Sequence, residues 1–371
     1  MSTIEFINPI ESYNEAVGLA EHILSGDDLT ANDALAIYEE IDLHAIGVSA
    51  DNLRRHTSGD LVTFVVDRNI NYTNICLAKC RFCAFYRDYD SDEAYVLTTK
   101  ELVGKVAEAV GFGATQILLQ GGLHPDLPFE FYEEMLATLK DRFPAVQLHA
   151  FSPPEIVQIA RVNRSLFRET LSRLHDAGLD SMPGGGAEIL DDRVRGEISP
   201  EKISWKTWER VMVTAHSLDI PTTATMVFGH METLKERIRH LFRIRDIQER
   251  TGGFTAFIPW TFQEKNTELE GRFKPTGGVE YLRTVAISRL ILNNYIPNIQ
   301  ASWVTQGRKV AQIALLFGAN DFGGTMLEEN VVRAAGVVFH RITLDEIRHL
   351  TDRLGRPVAK RDTLYNILEE Y

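Results

Sequence analysis

The stretch Asn71-Tyr72-Thr73-Asn74-Ile75-Cys76-Leu77-Ala78-Lys79-Cys80-Arg81-Phe82-Cys83-Ala84-Phe85-Tyr86-Arg87 holds every cysteine of the chain, three within eight positions, in the pattern C-x3-C-x2-C. A secreted disulfide framework uses an even number of cysteines spread along the chain, so these read as metal ligands. A structural zinc site takes four ligands, and iron–sulfur proteins of electron transfer take four cysteines. Three thiolates can instead hold three irons of a four-iron, four-sulfur cubane and leave the fourth iron open, where a small molecule can coordinate and react. Two plainer readings compete: three buried structural cysteines, or zinc completed by a remote histidine. The nearest downstream histidine, His124, lies outside any local ligand spacing.

The cysteine stretch follows the first of a series of short β-branched or apolar runs. These are LVTFVV (61–66), QILLQ (116–120), QLHAF (147–151), LDSM (179–182), TTATMVF (222–228), FTAFIPW (254–260), IQASWV (299–304) and a weak DFGGTM (321–326). Helical patterns separate them; Thr98 and Glu101, for example, form a capping box ahead of Leu102, Val103, Val106 and Val110. Strand and helix in alternation argue for a parallel sheet. Eight such units, with no GxGxxG turn after the first strand, fit an α/β fold closed as a (β/α)8 TIM-type barrel better than a doubly wound sheet. Before the barrel, residues 1–59 read as a helical extension, with Ala16, Leu19, Ala20 and Ile23 on one face and Thr30 with Asp33 as a capping box. The barrel core is expected over 60–326. From 327 to 371, ITLDEIRHLTDRLG and the closing LYNILEEY predict a helical segment packed on the barrel.

At 371 residues the chain suits one large barrel with appendages and can bury its core without disulfide staples. Its 39 basic and 52 acidic residues give a net charge of -13, which leaves no basic excess to track a nucleic-acid backbone. No basic, then apolar leader opens the chain, and no run of about 18 apolar residues could span a bilayer. A cytoplasmic location, with no nucleic-acid or membrane partner, is therefore expected.

With C-x3-C-x-aromatic-C at the end of the first barrel strand, the chain resembles the radical S-adenosylmethionine superfamily. Gln120-Gly121-Gly122 after the second strand resembles its glycine-rich turn, and Gly229-His230-Met231-Glu232 after the fifth resembles its G-x-x-E. Further segments narrow the likeness: FCAFYR (82–87), HAFSPPEI (149–156), PGGGAEIL (183–190), GGFTAFIPWTFQ (252–263) and GANDFGGTMLEE (318–329). They are similar to the cyclic dehypoxanthinyl futalosine synthase family of the futalosine route to menaquinone. Aminofutalosine synthase and the deazaflavin (FO) synthase subunits are near relatives, and the pairing of SPPE with PGGGAEIL looks most like the cyclase.

The resemblance implies a 4Fe–4S cluster on Cys76, Cys80 and Cys83 and S-adenosylmethionine as cofactors. Phe82, Tyr86, Gly121, Gly122, Glu188, Gly229 and Glu232 would contact S-adenosylmethionine. It implies a 5'-deoxyadenosyl radical that takes hydrogen from C4' of the ribose of dehypoxanthine futalosine, after which the carbon radical closes onto the substrate's benzoate ring. A low-potential donor such as flavodoxin or ferredoxin would supply the electron. Strand ends of a barrel converge on one mouth, so Ser152, Arg195, Gln263, Ser302 (with Trp303 in strand seven) and Asp321 are substrate-contact candidates by position. Glu155 or His149 would be the base that removes the ring proton. Each has a plainer reading: His149 and His230 as satisfied structural histidines, Glu155 as a helix-opening carboxylate after Pro153-Pro154, Trp260 and Trp303 as packing, and Asp321 as a turn cap.

Overall fold

The computed structural model describes residues 9–338 and 341–371, with the backbone alone over 9–16. Its strands close into a ring. β1 (Val62–Val65) and β2 (Asp67–Asn71) are two halves of one barrel position, interrupted at Val66. β2 pairs in parallel with β3 (Gln116–Gln120), and β3 with β4 (Gln147–Ala150). Bridges His149–Ser181 and Met182–Thr222 carry the ladder to β5 (Thr222–Phe228), which pairs with β6 (Phe254–Thr261). Bridges Phe257–Ile299 and Gln300–Asp321 then lead to β7 (Asp321–Gly324), and β7 pairs back onto β1. The fold is a (β/α)8 barrel closed by hydrogen bonds.

Two expected strands are shorter than their sequence runs. LDSM contributes only the bridges at Ser181 and Met182. IQASWV pairs only at Ile299 and Gln300, and then turns into the short helix Trp303–Gln306. Ser302 stops the ladder because its N–H donates to the Tyr281 hydroxyl (2.6 Å) and its Oγ donates to the Pro259 carbonyl (2.7 Å). Ser302 and Trp303 therefore do not lie in a seventh strand, and the buried Trp303 indole donates to the Gly324 carbonyl at 3.1 Å.

Parallel barrel strands are buried on both faces, so their two alternating sets of side chains have different jobs. Ile117 and Leu119 of β3, with Ala224, Met226 and Phe228 of β5, pack outward among the surrounding helices. Gln116, Leu118 and Gln120, with Thr223, Thr225 and Val227, line the interior. The interior set is largely polar, which marks it as a site rather than a filled core.

Both expected capping boxes form. Glu101 N–H donates to Thr98 Oγ1 at 3.3 Å while Thr98 N–H donates to Glu101 Oε2 at 2.8 Å. Asp33 N–H donates to Thr30 Oγ1 (3.2 Å) and Thr30 N–H to Asp33 Oδ2 (2.9 Å). Helices Pro9–Leu24, Ala31–Glu40 and Leu43–Ser58 precede the barrel, with Ala20 and Ile23 buried; the side chain of Ala16 lies outside the described residues. No helix among the described residues is long and apolar enough to cross a membrane.

The C-terminal segment is helical only in part. Helix Leu344–Asp352 forms as expected, but β8 (Val358–Arg361) and β9 (Ile367–Glu370) make an antiparallel hairpin. β8 lies parallel to β1, on the edge that β1 leaves open because the chain switches partners at Val66. The hairpin turn is held by Asp362, whose Oδ1 accepts from Leu364 N–H (2.8 Å) and Asn366 N–H (2.9 Å). Thr363 N–H reaches Gln147 Oε1 (2.7 Å), and the Tyr365 hydroxyl donates to Asp321 Oδ2 (3.0 Å). Gln147 and Asp321 open their strands, so the hairpin closes the N-terminal end of the barrel.

Candidate active site

The cysteine loop leaves the C-terminal end of β2 and is braced on both sides. Gly122 N–H donates to the Thr73 carbonyl (2.9 Å), Leu77 N–H to Leu123 (3.0 Å), Arg87 N–H to Asn74 (2.8 Å) and Arg81 N–H to Ile198 (2.9 Å). This bracing turns Cys76, Cys80 and Cys83 toward one cavity of about 320 Å³ that runs down the barrel interior. Burial pushes the Cys80 thiol up to about 12 and raises Cys83 as well, so ligation must displace their protons.

Among the described residues, no three His, Cys, Asp or Glu side chains converge on a single metal ion. Three thiols lining one cavity can each give one sulfur to a separate iron of a cluster. The zinc alternative fails on its fourth ligand. His124 Nδ1 accepts from Asp126 N–H (3.1 Å) and Leu127 N–H (3.2 Å), and the ring packs edge-on against Tyr89. The residues therefore fit a three-cysteine cluster.

The glycines beside the cysteines are there for want of space. A Cβ on Gly122 would lie 2.2 Å from the Ile75 carbonyl oxygen and 2.9 Å from Cys76 Cβ, and one on Gly121 would lie 2.5 Å from the Tyr72 ring. Because backbone must move to admit it, Gly122→Ala is expected to displace Cys76 and to lower iron retained after anaerobic reconstitution at least tenfold. Unchanged iron per protein would contradict this reading. Gly186, at φ +80°, packs on Pro154, where an added Cβ would meet Cγ at 2.4 Å. The PGGGAEIL and SPPE segments thus form one wall.

Phe82, Tyr86, Gly121, Gly122 and Glu188 line the cavity, as do Ser152, Gln263, His149 and Glu155. Beside Phe82, Lys202 was not legible from sequence spacing: its Nζ bonds Glu188 Oε1 at 2.8 Å and lies 5.4 Å from the Phe82 ring centre. Burial works to raise the Glu188 carboxyl, but Lys202 and Arg195 more than reverse it and hold it below the usual range.

Five expected contacts are placed elsewhere. Glu232 is sealed behind its own turn, accepting from Gly229 N–H (2.8 Å) and His230 N–H (3.1 Å) and pairing with Arg237 (2.7 Å). Gly229 faces a second cavity that shares Phe262, Gln263, Thr305 and Ala335 with the first. Arg195 is used up locally, donating to the carbonyls of Ala187 (2.7 Å) and Ile203 (2.6 Å) and to Glu188 (3.3 Å). Ser302 is spent on Pro259 and Tyr281, as above. Asp321 lies behind the wall, taking bonds from Arg361 (2.7 and 3.0 Å), Thr63 (2.8 Å) and Tyr365.

The two base candidates differ sharply. Glu155 Oε1 accepts from the Tyr72 hydroxyl (2.7 Å) and Gly121 N–H (2.9 Å), and Oε2 accepts from Ser152 N–H (2.7 Å) and Ser152 Oγ (2.6 Å). It is a helix-opening carboxylate that also pins the glycine turn. His149 shares only Nδ1, with Ser181 Oγ at 2.7 Å, and burial pushes its ring down to about 3, so it is neutral at physiological pH. The lower cavity adds Asp67, Gln116, Gln300, Arg361 and Tyr365, none of them singled out by sequence.

A closed parallel barrel with three thiols facing its interior at the mouth defines a radical S-adenosylmethionine enzyme, and the Radical SAM superfamily matches residues 70–244. Residues 251–370 match the CofH/MqnC C-terminal region, and the chain belongs to that CofH/MqnC family of radical SAM enzymes. It is 44% identical over 356 residues to cyclic dehypoxanthine futalosine synthase of Halalkalibacterium halodurans, covering 95% of each chain. It is 46% identical over 321 residues to 5-amino-6-(D-ribitylamino)uracil--L-tyrosine 4-hydroxyphenyl transferase of Archaeoglobus fulgidus, covering 86% of this chain and 92% of that one. In fold it matches the crystal structure of methylornithine synthase with a TM-score of 0.72 at 17% identity, over 91% of this chain and 96% of that one. Its cofactors are those of the superfamily, a 4Fe–4S cluster and S-adenosylmethionine.

Proposed function

We propose that the chain converts dehypoxanthine futalosine to cyclic dehypoxanthine futalosine, with Cys76, Cys80 and Cys83 holding the cluster. The observation that carries this reading is the 44% identity to the futalosine synthase along 95% of both chains. It is supported by the contact between Gly186 and Pro154, which makes the two cyclase-like segments one cavity wall. When bound, the cluster and S-adenosylmethionine supply reductive cleavage of a sulfonium and hence an abstractor of hydrogen atoms.

The protein's own residues supply position and protection. Val227, Ile258, Trp260, Phe262 and Met326 give the cavity an apolar side, and the C-terminal hairpin closes its floor. Glu155 is a positioning residue, fixing Gly121 and Ser152 beside the cysteine loop. As the cyclised ring gives up one electron to a one-electron acceptor, its proton passes to His149 Nε2 and aromaticity returns. The electron that starts turnover comes from a low-potential donor such as flavodoxin or ferredoxin. The basic groups around the loop, Lys79, Arg81 and Arg87, already face Asp88, Glu268 and Glu93, so an acidic partner would have to compete with these carboxylates.

His149→Asn is expected to leave cofactor cleavage running while cyclic product falls at least tenfold, read by comparing 5'-deoxyadenosine with product. Undiminished product would remove His149 from this role. The 46% identity to the transferase favours a second reading, transfer of a 4-hydroxyphenyl group from tyrosine. One assay separates the two. Anaerobically reconstituted protein is given S-adenosylmethionine, a reductant, and either dehypoxanthine futalosine or 5-amino-6-(D-ribitylamino)uracil with tyrosine. The cyclase reading requires cyclic product from the first mixture and none from the second.

A further inference from the structure

Asp67 and Gln116 face each other across β2 and β3 as direct register partners. Both line the cavity, at 2% and 7% exposure. They open their strands, so each lies four residues, about 13 Å of strand, below Asn71 and Gln120 at the cysteine end. Asp67 Oδ1 accepts from Met326 N–H at 2.9 Å, while among the described residues nothing bonds its Oδ2 or either amide atom of Gln116. These free atoms open onto the cavity, where a ligand or water can complete them.

We propose that Asp67 and Gln116 form a subsite for the hydroxyl groups of the substrate's sugar, at the end of the cavity away from the cysteines. The inference rests on the cyclase reading and names which end of that substrate the floor receives. Charge selects hydroxyls over the benzoate. Arg361, the cation of the floor, is held in a two-point pair by Asp321, donates to the Asp362 carbonyl (2.9 Å), lies 3.8 Å from the Tyr365 ring centre, and has Asp67 and the neutral His149 nearby. An incoming carboxylate would meet Asp67 with no free cation to offset the repulsion. A pair of adjacent hydroxyls instead donates to Asp67 Oδ2 and to the Gln116 carbonyl, and accepts from the Gln116 amide. The apolar side of the cavity, Ile258, Trp260 and Met326, is left for the aromatic ring.

The test is calorimetric binding of dehypoxanthine futalosine to cluster-loaded protein with S-adenosylmethionine and no reductant. Gln116→Leu and Asp67→Asn are expected to weaken binding at least tenfold. Analogues lacking one sugar hydroxyl at a time are expected to show, for at least one position, a tenfold loss on the native protein that largely disappears on Gln116→Leu. Equal affinity in the native protein and both variants would overturn the inference while leaving the cyclase reading intact. So would a penalty that follows removal of the benzoate carboxylate instead of a hydroxyl. The hydroxyl series on native protein decides the matter even if a variant folds poorly. No binding of this substrate by the native protein would overturn the cyclase reading and the subsite together.

Discussion

Serine at any one of Cys76, Cys80 or Cys83 is expected to abolish cluster retention and to lower 5'-deoxyadenosine release at least a thousandfold. Three ligands leave no redundancy, and a hydroxyl is a harder, weaker partner for iron than a thiolate. The protein should survive the change. Serine is close to cysteine in volume, Cys76 and Cys83 are only half-buried, and leaving a Cys80→Ser hydroxyl unpaired costs about 1–3 kcal/mol. Iron and sulfide content, measured beside the melting temperature, separates loss of the site from loss of the fold. A serine variant that keeps a full cluster and turns over would show that the loop is not the iron site.

The second large effect concerns the floor. Arg361→Met is expected to cost about 3–5 kcal/mol, the usual result of stripping one partner from a buried ion pair. Arg361 and Asp321 are 3% and 0% exposed, and the guanidinium also lies 3.8 Å from the Tyr365 ring centre. Without it, the fully buried Asp321 keeps only the hydroxyls of Thr63 and Tyr365. At roughly 2–4 °C per kcal/mol for a domain of a few hundred residues, the melting temperature should fall by about 10 °C. Arg361→Met combined with Asp321→Leu should lose less than the two single changes added together, because no unpaired charge remains. A melting temperature within 2 °C of the native protein in Arg361→Met, an order-of-magnitude margin, would show that the hairpin is not anchored through this pair.

Which parts of this molecule could be read in advance follows from the range of the interactions that decide them. The cysteine spacing, the Thr98–Glu101 and Thr30–Asp33 boxes and the run Thr222–Phe228 are local patterns, and each formed where its residues predicted. Phe82, Tyr86, Gly121 and Gly122 share the cavity with the cysteines for the same reason, because they lie within or directly against the cysteine loop. The lower site was not legible in advance. Gln116 reads as the first residue of an apolar strand, and its role appears only when the ring closes and Asp67 stands beside it. Arg361 and Tyr365 come from a four-residue strand and a turn, too short to carry a period of 2 or 3.6, and the acidic LYNILEEY passes for a helix. Arg195 and Ser302 mislead in the opposite direction. Their polar groups look available in the sequence, yet Arg195 is consumed by nearby carbonyls and Ser302 by Pro259 and Tyr281.

The most direct measurement is electron paramagnetic resonance of the anaerobically reconstituted, reduced protein with and without S-adenosylmethionine. Three sulfur ligands and one open iron predict a reduced four-iron signal whose g-values and line shape change when the nucleotide is added. A signal that stays the same, or a metal centre already saturated by protein ligands, would contradict the account at its root.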